Sequence, residues 1–104
     1  MSFDLEDIKK LLNEDKIQWS GHILEQMQKR NIKVKDVIES INFGEIIEFY
    51  PTDSPYPSCL IFGKCINGDI LLVVCSLGEE KIWMITSYYP NNIEWLEDFK
   101  TRRR

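Results

Sequence analysis

At Gly44 the spacing of apolar residues changes, and that change limits the folds open to the chain. Before it, Phe3, Leu5, Ile8, Leu11 and Leu12 recur every three or four residues, the repeat of a single helix face, and the pattern ends near Asn13. Ser20 has the side chain of an N-cap, so a second helix is read over 21–31. Asn31 and Ile32 break it, and Val34, Val37, Ile38 and Ile41 mark a third helix that stops before Gly44. Beyond Gly44 come four short runs rich in β-branched and aromatic residues, over 45–50, 58–65, 69–76 and 81–89. Asn67-Gly68 is a strong hairpin signal, and Leu77-Gly78-Glu79 supplies the next turn. Pro51, Pro55 and Pro57 make the first connection a stiff loop around Tyr56. The expected architecture is α+β, with N-terminal helices packed on a four-stranded antiparallel sheet in meander order. A helical turn over 93–99 is expected to follow Pro90.

A chain of 104 residues is read as a single domain spanning 1–104. A domain of this size buries about 65% of its unfolded surface, enough for a core without metal or disulfide staples. Cys59, Cys65 and Cys75 form no CxxC pair and lie in apolar runs, so buried, reduced thiols are expected. The opening residues lack the charged-then-apolar pattern of a signal peptide, and no apolar run reaches the roughly 18 residues of a membrane span. A cytoplasmic protein with no membrane contact is therefore expected. The formal net charge of −4 argues against nucleic-acid binding by the whole surface. Base is concentrated locally, at Lys29, Arg30, Lys33 and Lys35 and again at Lys100 and Arg102 to Arg104. Folding can join these two patches into one cationic site.

His22, the sole histidine, falls in the first turn of the second helix. A neutral imidazole accepts a proton near pH 7, which suits a general base. Arg30 lies seven steps from Ile23, within about 20° of it on a helical wheel, so a guanidinium shares the apolar stripe. It must reach past the core edge to an anion or a carboxylate. In the last strand Ile82, Met84, Thr86 and Tyr88 are read on one face and Trp83, Ile85, Ser87 and Tyr89 on the other. Its hydroxyl-bearing end is the kind of segment that lines a cleft. Tyr56 is a candidate stacking residue, and Trp95 is read as a packing anchor. With one histidine and no paired acidic motif, no metal or cofactor site is expected.

Several short motifs together resemble one family. They are Ser20-Gly21-His22, Arg30-Asn31-Ile32, Asp36-Val37 with Ile41, Gly44 to Glu48, Pro55 to Ser58, Leu71 to Val74, and Ile85 to Pro90 followed by Trp95, Lys100, Arg102 and Arg103. This set resembles the DUF4258 family of small bacterial and archaeal proteins, which is similar to the RelE-like and barnase-like ribonuclease toxins. The resemblance implies helices before a four-stranded antiparallel sheet, and the toxin half of a toxin–antitoxin pair. It implies two partners, RNA and a cognate antitoxin, the latter frequently carrying a cysteine-rich, zinc-binding segment. The expected activity is metal-independent RNA cleavage by attack of the ribose 2′-hydroxyl. His22, Arg30, Thr86 and Tyr88 form the expected catalytic set, and Lys29, Tyr56, Lys100, Arg102 and Arg103 the phosphate- or RNA-binding set. A binding module without chemistry is the alternative.

Overall fold

The computed structural model describes residues 3–65, 68–90 and 100. Three helices, α1 (Leu5–Asn13), α2 (Gly21–Lys29) and α3 (Val34–Asn42), carry the apolar stripes read from the sequence. Each starts on a side chain that satisfies an orphan backbone donor. Asp4 and Asp7 cap α1 reciprocally, each accepting the other's N–H at 3.0 Å. Ser20 Oγ accepts from Ile23 N at 3.2 Å, as expected, and Asp36 accepts from Lys33 N at the start of α3. α1 and α2 end in the same way, on a polar residue in the left-handed region: Asp15 (φ 58°) and Asn31 (φ 57°). The next N–H then reaches back into the helix, from Lys16 to Leu11 O and from Ile32 to Met27 O.

The sheet departs from the expected four antiparallel strands. It has five, β1 (Ile17–Trp19), β2 (Glu45–Tyr50), β3 (Ser58–Lys64), β4 (Ile70–Gly78) and β5 (Lys81–Tyr88), in the order β1-β5-β4-β3-β2. Strands β2 to β5 form the expected antiparallel meander, while β1 pairs with β5 in parallel, Ile17 opposite Ile82 and Trp19 opposite Met84. Three residues between two helices are too few for a period-two signal, so nothing local marked β1 as a strand. Only the docking of α1 lays it against β5, where Lys16 O accepts from Ile82 N at 2.9 Å.

A second departure lies in β5. Val74 pairs with Thr86 and Cys75 with Met84, leaving Ile85 as an extra, bulged residue. The bulge reverses the alternation read from the sequence. Ile82 and Met84 face the helices, but beyond Ile85 that face receives Ser87, opposite Val73. Thr86 and Tyr88 turn to the other face, opposite Val74 and Leu72.

All three helices lie on one face of the sheet, where Ile8, Ile23, Met27, Val37 and Ile41 pack on Ile61, Val73 and Ile82. A smaller cluster on the opposite face centres on Leu60 and Leu72, with Phe62, Val74 and Tyr88 half-buried around it. Cys59, Cys65 and Cys75 are free and buried. Cys59 and Cys75 sit opposite each other on β3 and β4 with sulfurs 3.9 Å apart. Contact with Cys59, then burial, pushes the Cys75 thiol well up. Among the described residues no helix is long and apolar enough to cross a membrane. The expected helical turn over 93–99, Trp95 within it, and Asn67 lie outside the described residues.

Candidate functional site

Strand β1 covers β5 only as far as Met84, because Ser20 then turns the chain into α2. Among the described residues, no strand lies beyond the far end of β5, which leaves it an open edge. α2 brings its C-cap residue back to that edge. Arg30, the C-cap residue, donates from Nη1 to Ser87 O at 2.7 Å and lies 3.5 Å from Thr86 Oγ1, across 56 residues of sequence. The left-handed turn at Asn31 sets this direction by ending the helix while Ile32 returns into the core. The shared apolar stripe is thus resolved by a backbone carbonyl and a hydroxyl rather than by a carboxylate.

Of the expected catalytic set, Arg30 and Thr86 meet directly. Tyr88 shares the Thr86 face of β5 and packs with the Leu60–Leu72 cluster. His22 is exposed in the first turn of α2. Arg30 follows it by eight positions, about 12 Å of axial rise, so imidazole and guanidinium occupy opposite ends of one helix.

The expected RNA-binding set is dispersed. Lys29 pairs with Glu25 at 3.4 Å, one turn back on the exposed side of α2. Lys100 pairs with Glu45 at 3.1 Å and lies over the Phe62 ring, 4.8 Å from its centroid. Arg102 and Arg103 lie outside the described residues. No group of three or more His, Cys, Asp or Glu side chains gathers among the described residues in a way that could hold a metal ion.

Tyr56 is fixed within the proline loop. Its ring stacks on Trp83 with centroids 5.8 Å apart and planes 28° from parallel, and its hydroxyl donates to Glu79 at 2.5 Å. The bond to Glu79, more than burial, raises the phenol above its ordinary range. Gly78 makes the stack possible, since a Cβ there would stand 2.3 Å from Tyr56 ring carbons. Trp83 Nε1 in turn donates to Gly78 O at 2.9 Å. Beside this pair opens a cleft of about 550 Å³, walled by the proline loop, by Ser20 and by Met84 and Ile85. Sequence reading missed Trp83, Asp53 and Ser76 as members of one cleft. They come from different segments, and no spacing rule links Tyr56 to Trp83.

The model of a family described as "Domain of unknown function (DUF4258)" matches residues 19–89, more than half of the chain. No curated protein and no solved structure matches it.

Proposed function

The chain belongs to the DUF4258 family, and from that premise we propose that it is the toxin half of a bacterial toxin–antitoxin pair, a cytoplasmic endoribonuclease similar to RelE-like and barnase-like toxins. The reaction is attack of the ribose 2′-hydroxyl on the adjacent phosphate, without a metal. One observation carries the reading: a helix-end guanidinium is held beside a strand-end hydroxyl at an open sheet edge. Nη1 is engaged with the strand, while the guanidinium's other N–H groups remain for a phosphate. Charge building up on a phosphorane is stabilised by such a preset donor, and Thr86 orients the same group. His22, about 12 Å along α2 from Arg30, is too distant to serve the phosphodiester that Arg30 holds, so it meets a neighbouring nucleotide of an RNA strand lying along the helix. Tyr88 flanks Thr86, and Arg102 and Arg103, outside the described residues, belong to the proposed RNA-binding set. The partners are RNA and an antitoxin that covers this edge.

The test is cleavage of purified RNA in the presence of a chelator. Arg30→Ala removes the preset donor and is expected to lower the rate by about a hundredfold or more. An unchanged rate defeats the assignment. The second reading, a binding module without chemistry, is favoured by the separation of His22 from Arg30. Its mark is RNA retained on the folded protein and recovered intact.

A further inference from the structure

The cleft beside Tyr56 and Trp83 has no part in the chemistry above, yet it adjoins it at two points. Ser20, on its wall, stands two residues before His22, and Ile85, also on its wall, directly precedes Thr86. At about 550 Å³ it has the volume of a small-molecule site. Its walls are mainly aromatic and aliphatic, and the polar ends of both rings are already engaged, Trp83 Nε1 by Gly78 O and the Tyr56 hydroxyl by Glu79. What they leave to a ligand is carbon surface. Such surface suits a flat ring.

Among the described residues, Asp53 is the one charged side chain on the wall. Its Oδ1 accepts from Ser54 N at 2.9 Å and its Oδ2 from Ser58 Oγ at 2.5 Å, so the loop and β3 hold the carboxylate in place. A carboxylate offers about four acceptor positions, and two stay open. The ligand edge that matches it carries two adjacent N–H donors. Among the RNA bases guanine alone has that edge, N1–H beside the N2 amino group. Adenine and cytosine place one amino donor beside an acceptor, and uracil places one N–H between two carbonyls. We infer that this cleft is a guanine subsite, in which the base lies along the Tyr56–Trp83 wall and donates its N1–H and N2–H to Asp53. The inference rests on the RNA-cleavage reading for the strand that delivers the base, and it makes the enzyme cut beside guanosine.

Calorimetric titration of the intact chain with guanosine, adenosine and inosine tests the subsite with no cleavage involved. Guanosine is expected to bind at least about tenfold more tightly than adenosine, with inosine, which lacks the amino group, in between. Asp53→Asn is expected to abolish the preference while circular dichroism stays unchanged. The preference itself is read on the unaltered chain, so a disturbed loop in the variant cannot imitate it. Equal binding of guanosine and adenosine, no binding of either, or a preference that survives Asp53→Asn overturns the inference. So does uptake of arginine amide in place of guanosine, which would make the cleft a seat for a protein side chain. An inactive chain that still prefers guanosine sinks the cleavage reading and keeps the subsite, and an active chain indifferent to base does the reverse.

Discussion

Ser87 shows how one residue serves two structures at once. Its carbonyl accepts the Arg30 guanidinium, while its fully buried hydroxyl finds no hydrogen-bond partner among the described residues. A buried hydroxyl without a partner costs about 1–3 kcal/mol. Ser87→Ala removes that cost and leaves the carbonyl in place. Urea denaturation is therefore expected to show a gain of about 1 kcal/mol, with RNA cleavage unaltered; a loss of stability would mean that the hydroxyl is satisfied after all. Arg30 itself was legible as a misfit on an apolar stripe. That its partner is an edge carbonyl was not legible, because every residue offers one.

Among the elements, the β4–β5 hairpin carries the plainest local strain. Its two turn residues, Glu79 (φ 54°) and Glu80 (φ 60°), both lie in the left-handed region that favours glycine or asparagine. Glu79 has a use there, since it accepts the Tyr56 hydroxyl and ties the proline loop to the turn. Among the described residues Glu80 makes no such bond. Glu80→Gly is expected to raise stability by about 0.5–1 kcal/mol, the relief of the backbone less the entropy glycine adds to the unfolded chain. A lower urea midpoint for this variant would refute the account. The turn was read from its composition within a residue or two. The bulge at Ile85 was not, since a one-residue insertion in a ladder has no signature until its partner strand is known.

At the scale of the whole molecule, the helical layer is set against the sheet by close backbone approach. A Cβ on Gly63 would stand 2.3 Å from Ser40 Cβ and 2.5 Å from its backbone oxygen, so α3 rests directly on β3 there. Gly63→Ala must push α3 outward and is expected to cost about 2–3 kcal/mol in thermal or urea unfolding. Gly21→Ala is the control, because nothing lies within 4 Å of a Cβ at that position, and it is expected to be neutral or slightly stabilising. Equal effects at the two sites would refute the packing argument. The same layering decides the candidate site. α2 crosses beside β5 with His22 at one end and Arg30 at the other, and the cleft opens where Ser20 and Ile85 approach.

The sequence alone determined the features whose causes lie within a turn or so of chain: Ser20 as a cap, the end of α2 at Asn31, the bounds of β2, and the antiparallel order of the four later strands. Capping bonds and side-chain periodicity act over a few residues, so they are written locally. Tertiary structure decided the rest. The parallel pairing of Ile17 with Ile82, the reversal of faces at Ile85, the meeting of Arg30 with Thr86 and the stacking of Tyr56 on Trp83 each join segments that are distant in sequence. Their energies exist only once the chain has closed on itself, so no local pattern could announce them.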